Sequence, residues 1–591
     1  MPTTSNDLSR TLRGLTHRWR LSDEPALTGP GSTGDPLVDR VLASRGLTDS
    51  AEIDAFCNPR LTHLHDPSLI PDLDRAAQRV INACQSGETI AIWGDYDVDG
   101  VTAAAILKHT ATALAPSATV LTYIPHRGDE GYGLNADGLR TLADSGASVV
   151  ITVDCGVTAV READLARSLG IDLIITDHHT PPDRVEDLPR AYAVVHPGRP
   201  GSTYPFPDLT GAGVAYKLAW RLATLSSGSD RVPEPLRTLL IEMLAPAAMG
   251  TIADVAPLVG ENRVIARFGL ARIRATPLLG LRALVEASGL TGEHIGSDEV
   301  GFRLAPRLNA CGRMGHAREA LELFLTNDPA RAVEIARTLT RLNEERRAVE
   351  TAITRQASAL ADDAGMTGAD GRAIVLADET WHAGVVGIVC SRLVDRFHRP
   401  AIVLQRSGDT LHGSCRSIEG FDIHAALSAC GEHLETFGGH AMAAGLSLQA
   451  GRFNAFTNAF LGYARQTLRP DDLVPTLRVD CDARLGDLTS ATVRRLGELG
   501  PFGRGNPRPR VRLTGLRLVE PPRSLGAEGK HLKLTVGDGD RMMRLVAWDW
   551  GRRRDALHRG MTIDAVVEPR LNTWRGVETV EPHLRDLRRH E

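Results

Sequence analysis

At 591 residues, with 42% hydrophobic and 24% charged residues, the chain has the make-up of a globular protein of about four domains. A net charge of −5 provides no global basic field that would announce a nucleic-acid partner, and eight scattered cysteines without a CxxC pair argue against structural zinc or a disulfide framework. No run reaches the ~18 uninterrupted apolar residues of a membrane-spanning helix, and residues 1–7 lack the layout of a secretion signal. The expectation is a cytoplasmic protein with no membrane attachment.

In chain order, residues 1–85 read as mostly helical, with a Gly/Pro/Ser linker at 29–35. Apolar strand-like runs at 89–93, 119–124, 149–153, 173–176 and 193–195 then alternate with helical stretches. Continuous apolar strands separated by helices predict a parallel sheet covered on both faces. Ile335, Leu339, Leu342, Val349, Ile353 and Leu360 follow a 4-3 alternation, which predicts one long helix over 328–362. Such a helix spans about 50 Å, enough to connect two lobes. A second α/β segment covers 373–465, and short strands at 511–513, 532–536 and 544–548 predict a small C-terminal β-barrel. The predicted division is 1–85, 86–327, 328–365, 366–468 and 469–591.

Four segments carry the chemistry. They are Asp95-Tyr96-Asp97-Val98-Asp99-Gly100, Val153-Asp154-Cys155-Gly156, Asp177-His178-His179 and Ala253-Asp254-Val255. Asp95, Asp154 and Asp177 fall at predicted strand ends, where ligands of parallel sheets gather. Crowded carboxylates raise one another's pKa unless a cation neutralises them, so the set predicts a metal cage. A calcium loop is excluded because its twelfth position from Asp95 is Ile106. The nucleophile loop of haloacid-dehalogenase-type phosphatases fits the first segment but leaves Asp177-His178-His179 unexplained. Carboxylates with little nitrogen and no sulfur favour Mn²⁺ or Mg²⁺, with ligands enough for two ions sharing an Asp. Two such ions suit phosphoester hydrolysis.

These segments resemble the DHH phosphoesterase superfamily, and within it the RecJ family of single-stranded-DNA-specific exonucleases. The similarity extends through Pro125-His126-Arg127, Glu130 to Leu134, Gly211 to Lys217, Gly250 to Arg263 and Ala305 to Arg313. In the second lobe it covers Trp381 to Gly387, Gly413 to Ser417 and Phe437 to Ala441, and in the tail Pro501 to Asn506. The resemblance implies a DHH domain and a DHH-associated domain, both α/β, joined by the long helix, with a C-terminal OB-fold barrel. It implies Asp97, Asp99, Asp154, His178 and Asp254 as metal ligands, with Asp154 as the bridge. Asp95, Asp177 and His179 would be further ligands or groups that orient a ligand or the attacking water. Cys311 and His196 depart from the family pattern, and neither is expected to touch the cage.

For the substrate, Arg127, Arg307, Arg313 and Arg416 are phosphate-binding candidates, with Ser414 and His440 beside glycine-rich backbone. Tyr132 and Trp381 are stacking candidates, as are Trp548, Trp550 and Trp574 among Arg504, Lys530 and Lys533 of the tail. The implied activity is 5′-to-3′ digestion of single-stranded DNA to mononucleotides in repair and recombination. The implied partners are a helicase and a single-strand-binding protein, and the chain is expected to be a monomer. One alternative is a DHH phosphodiesterase acting on short oligonucleotides or cyclic dinucleotides. Another is a catalytically silent replication scaffold, disfavoured because every proposed ligand position is occupied.

Overall fold

The computed structural model describes residues 11–22, 33–126, 129–228 and 231–590. It divides into two compact units, one of Asn58–Arg346 with Gly500–Pro507, the other of Met1–Cys57, Arg347–Leu499 and Arg508–Glu591. The described residues begin with a hairpin of β1 (Thr11–Arg13) and β2 (Arg18–Leu21), and β2 pairs in parallel with Thr476–Val479. Helices dominate the described part of residues 1–85, as the mostly helical reading has it, and the hairpin is its one departure among the described residues. Strands of three or four residues interleaved with arginine carry no period-two signal, and a partner over 450 residues away supplies the ladder. Trp19 is fully buried and donates through Nε1 to Asp586 Oδ2 at 2.8 Å, an oxygen that also accepts from the His17 amide. Helix α1 (Pro36–Ser44) follows, N-capped by Asp35, and then α2 (Ser50–Cys57). Residues 29–32 of the predicted linker lie outside the described residues.

The first unit is built on α3 (Leu73–Ser86) and alternating strands and helices. These are β3 (Thr89–Gly94), α4 (Val98–Leu114), β4 (Val120–Tyr123), α5 (Ala136–Asp144), β5 (Ala147–Val153), α6 (Val160–Ser168), β6 (Asp172–Thr176) and β7 (Ala193–Val195). All strand pairs are parallel, in the order β4-β3-β5-β6-β7. Ile90, Ile92, Val149 and Ile151 point to one core, and Ala91, Trp93, Val150 and Ile175 to another, so both faces are covered. Each of the larger side chains contributes roughly 1.5–3 kcal/mol on burial. Strand order reverses between β3 and β5, and the crevice at their carboxyl ends is the ligand position of such sheets.

Beyond the sheet come α7 (Gly211–Ser227), α8 (Leu236–Ala253), α9 (Gly260–Ile273) and α10 (Leu279–Ala287). Then α11 (Ser297–Glu299), a π-helical stretch Val300–Leu304, α12 (Ala305–Met314) and α13 (Arg318–Leu325) follow. Among the described residues, only α8 is long and apolar enough to cross a membrane by length and composition. Its Met243, Leu244, Ala247 and Ala248 are buried in the core, which accounts for that composition. Buried Lys217 of α7 lies 2.5 Å from Glu261 Oε1 of α9, and Glu261 also accepts from Tyr204 Oη and the His65 amide. Those segments of the sequence pattern hold the helices together.

Helix α14 (Pro329–Asp363) runs from one unit into the other and is about 50 Å long. Ile335, Leu339 and Ile353 are buried as the 4-3 pattern requires, but Leu360 is 38% exposed while Ala357 and Ala361 are fully buried. A straight helix of 3.6 residues per turn drifts about 20° per heptad from a 3.5 repeat, and by Leu360 the seam has rotated away.

In the second unit, β8 (Ile374–Asp378), α15 (Ala383–Phe397), β9 (Ala401–Ser407), β10 (Thr410–Arg416), α16 (Ile423–Ala429), β11 (Thr436–His440), β12 (Ala443–Gln449) and α17 (Phe453–Thr467) form a mixed sheet with its helices. The order is β11-β12-β10-β9-β8, parallel only between β8 and β9. Next come β13 (Thr476–Val479), β14 (Cys481–Ala483) and α18 (Ser490–Glu498). The tail holds β15 (Val511–Leu518), β16 (Arg523–Leu525), β17 (His531–Gly537), β18 (Met542–Ala547), β19 (Thr562–Glu568), β20 (Leu571–Trp574), β21 (Val577–Val580) and β22 (His583–Arg589). The circuit β15-β19-β22-β18-β17 closes through a second β15–β17 pairing, giving a five-stranded barrel. Strands β20 and β21 stand apart as a hairpin.

Candidate metal centre

The acidic segments converge on the crevice at the β3/β5 reversal. Asp95 and Asp97 follow β3, and Asp97 N-caps α4 by accepting from the Asp99 and Gly100 amides. Asp99 sits in the first turn of α4, where its two oxygens accept the Gly211 and Ala212 amides at 2.7 and 3.0 Å. The N-terminus of α7 thus holds one carboxylate in place. Asp154 ends β5 at φ 63°, a left-handed conformation rare outside glycine and typical of strained functional positions. Asp177, His178 and His179 follow β6, and Asp254 is the C-cap of α8. Glycine is needed opposite this cluster. A Cβ at Gly211 would lie 2.6 Å from Asp154 Cβ, and one at Gly250 would lie 2.5 Å from Asp99 Oδ1.

Three sets of donor atoms each fall within 4.8 Å of one another: Asp95, Asp97 and Asp154; Asp154, His178 and His179; Asp99, His178 and Asp254. Asp154 and His178 are each shared by two sets, so the donors form one continuous cluster sufficient for two ions. Asp154 Oδ1 and His178 Nε2 lie 3.0 Å apart, both buried, and neither has a hydrogen-bond partner. Two buried lone-pair atoms facing each other are costly unless a cation lies between their charges. Burial, then Asp254 and Asp97, pushes Asp99 well above the usual carboxylate range; burial, then Asp99 and Asp97, does the same to Asp154. Burial and Asp97 push Asp254 up to about 6. Burial and the neighbouring His179 take His178 down to about 4, leaving a neutral imidazole that suits a metal. This donor set of oxygens and imidazoles without sulfur fits Mn²⁺ or Mg²⁺.

Asp177 has a different task. Its Oδ1 accepts from the His178 amide, the His179 amide and His179 Nδ1, and its Oδ2 from the Val157 amide. With its oxygens so engaged it fixes the His179 ring and the backbone of the two histidines, and it joins none of the three donor sets. Burial alone would raise Asp177, but the hydrogen bond from His179 and the other donors bring it down to about 2. Burial opposes charge on His179, yet the same bond outweighs it and lifts His179 to about 9. His196, expected to stay clear of the cage, joins none of the donor sets and places Nε2 2.7 Å from the His179 backbone carbonyl. Cys311 keeps clear, with Sγ donating to the His316 carbonyl.

Tyr132 lies at the edge of the cluster, 53% exposed, with its hydroxyl 3.3 Å from the His179 ring nitrogens. Arg307 and Arg313 sit on α12 in the same unit, and Asn309 between them accepts the Val98 amide, fastening α12 to the first acidic loop. Arg127 lies outside the described residues. Ser414, Arg416 and His440 fall together in the second unit. Ser414 and Gly438 both face Gly445, and Arg416 and His440 both face Ala443, so the three side chains share one sheet face. Trp381 is a correction: it is 2% exposed and donates to Gln356, a packing residue rather than a stacking platform. Trp550 is buried in the tail, whereas Trp548 and Trp574 are exposed. Arg504, grouped by sequence with the tail, belongs to the metal-bearing unit.

The profile of the DHH family, N-terminal domain, matches residues 89–248, that of the DHHA1 domain 370–466, and that of the RecJ OB domain 479–586. The chain is 39% identical over 553 residues to the single-stranded-DNA-specific exonuclease RecJ of Bacillus subtilis, covering 93% of this chain and 68% of that one. The chain belongs to the RecJ family. Its fold is that of RecJ from Thermus thermophilus in complex with Mn²⁺, with a TM-score of 0.81 at 33% identity over 97% of this chain and 80% of that one. The Mg²⁺ complex of the same RecJ gives 0.76 at 32% identity, over 97% and 78% of the two chains. Sequence reasoning missed what fastens this centre, namely the Gly211 and Ala212 amides and the Asn309 side chain, because none of them bears a charge.

Proposed function

We propose that this chain is a metal-dependent exonuclease that digests single-stranded DNA from the 5′ end to mononucleotides, in DNA repair and recombination. The observation that carries the reading is the donor cluster centred on Asp154, in a chain of RecJ type that also bears an OB-fold barrel. Asp97, Asp99, Asp154, His178 and Asp254 would hold Mn²⁺ or Mg²⁺, with Asp95 and His179 within the same donor sets. The chemistry supplied by such ions is water activation and charge stabilisation at phosphorus.

The residues of the chain do the rest. Asp177 accepts from His179 Nδ1 and fixes that ring beside the cluster. Tyr132 closes one edge of the cluster and offers a ring face to a base. Arg307 and Arg313 suit backbone phosphates, and the shared face of Ser414, Arg416 and His440 over Gly438 and Gly445 makes a shallow bed for a terminal phosphate. A helicase and a single-strand-binding protein are the partners such an activity needs, because duplex regions must be opened and single strands kept extended. We place the enzyme in the cytoplasm as a monomer.

End-labelled single strands incubated with Mn²⁺ or Mg²⁺ test this. The expected outcome is labelled mononucleotide from the 5′ end with the unaltered protein and near-complete loss with Asp154→Ala. Undiminished digestion by that variant would refute the bridging role. Hydrolysis confined to dinucleotides would move the reading to a short-oligonucleotide phosphodiesterase.

A further inference from the structure

Three surface residues that the reading above leaves without a role lie on segments that pack at the C-terminal end of α8, next to Asp254. Val255, next to Asp254, is a β-branched residue at φ 58° and 61% exposed. That backbone region is a genuine outlier for valine, and such strain persists mainly where function requires it. Phe302 is 80% exposed on the π-helical stretch Val300–Leu304, a helix form enriched at functional positions. Arg504 is exposed at the tip of the Gly500–Pro507 loop.

Three contacts bring these segments to the C-terminal end of α8. The Leu258 amide donates to the Arg504 carbonyl at 2.8 Å. Ser297 Oγ, at the start of α11, donates to the Phe502 carbonyl at 2.6 Å. A Cβ at Gly301 would lie 4.0 Å from Ile252 Cγ2, so the π-helical stretch rests on the last turn of α8. The loop itself is rigid: the Gly503 and Asn506 backbones bond each other in both directions, Asn506 Nδ2 donates to the Pro501 carbonyl, and Arg263 Nη2 donates to the Gly500 carbonyl. Arg303 donates to the Ser288 and Gly289 carbonyls and fixes the other side. A Cβ at Gly503 would lie 2.8 Å from Leu258 Cδ1 and one at Gly505 3.2 Å from Pro257 Cβ, so the loop tip lies against the segment that follows Asp254. An exposed aromatic ring and an exposed guanidinium held on firm supports beside a nuclease centre match the two parts of a nucleotide, base and phosphate.

We propose that Arg504, Phe302 and Val255 form a rim that grips the single strand beside the metal residues. Arg504 takes a backbone phosphate, Phe302 stacks on a nucleobase, and Val255 packs against the sugar. This rests on the exonuclease reading and adds the residues that hold the strand next to the reacting nucleotide.

The test measures binding of a labelled oligothymidylate to full-length protein in the Asp154→Ala background, over a range of salt, with thermal melting as a check of folding. Arg504→Gln should flatten the slope of log affinity against log salt by about 0.7, the loss of one phosphate contact on a single strand. Phe302→Ala should weaken binding roughly tenfold at unchanged slope, and Phe302→Trp should restore it. A slope unaltered by Arg504→Gln, or Phe302→Ala binding as tightly as its parent, overturns the rim. If the parent and the unaltered protein both fail to bind single strands, the exonuclease reading falls instead.

Discussion

At the scale of single residues, the centre depends as much on what is small as on what is charged. Gly211 offers its amide to Asp99 and leaves no room for a Cβ beside Asp154. In Gly211→Ala the new methyl has to displace the Asp154 carboxylate, and misplacing a reacting group by about 1 Å costs about 10²-fold. Turnover on single strands should therefore drop roughly 100-fold, with a weaker Mn²⁺ titration and little change in far-UV circular dichroism. Turnover within a few-fold of the parent would show that Asp154 tolerates the shift. The carboxylates and histidines themselves were legible in the sequence because charges crowded at strand ends have few other uses. The amides and the Asn309 side chain were not, since a neutral donor announces nothing until a fold aims it.

At the scale of elements, ion pairs fasten strands and helices that local patterning leaves free. Glu568 of β19 is nearly buried and lies 3.2, 3.3 and 3.6 Å from Arg510, Arg570 and Arg585. Burial would raise this carboxyl, but Arg585 and then Arg510 hold it below the usual glutamate value of 4.5. A depressed carboxyl contributes stability above its unfolded value, and that contribution fades as pH falls through its folded value. Glu568→Gln should thus destabilise the barrel unit at pH 7 by about 1–3 kcal/mol, with the gap to the parent narrowing below pH 4.5. Urea melts at pH 7 and pH 3.5 measure both, and a gap that stays constant would remove the ion pairs from the account. Lys217 and Glu261 do the same work between α7 and α9. Their place in the family pattern suggested nothing about chemistry or packing, and only their burial shows the latter.

At the scale of the whole molecule, the metal-bearing unit gathers the donor atoms of five aspartates and two histidines into one cluster. Ions that bind only the folded form stabilise it by mass action, about 2.7 kcal/mol at a hundredfold excess over Kd. Melting curves should accordingly shift upward with Mn²⁺ concentration and fall back on chelation, and the shift should be largely lost in Asp154→Ala. An equal shift in that variant would place the ions elsewhere.

From the sequence alone followed the alternation of buried strands and helices, the long helix, the barrel and the acidic segments, because period, composition and charge are local properties. The tertiary structure decided which donors lie close enough to share an ion, that Asp177 bonds His179 and stays out of the donor sets, that Trp381 is core, and that residues 11–21 form a hairpin. It also drew Arg504 out of the tail and onto the metal-bearing unit. Each of these depends on contacts between segments far apart in the chain, and distance through space is not written in the order of residues.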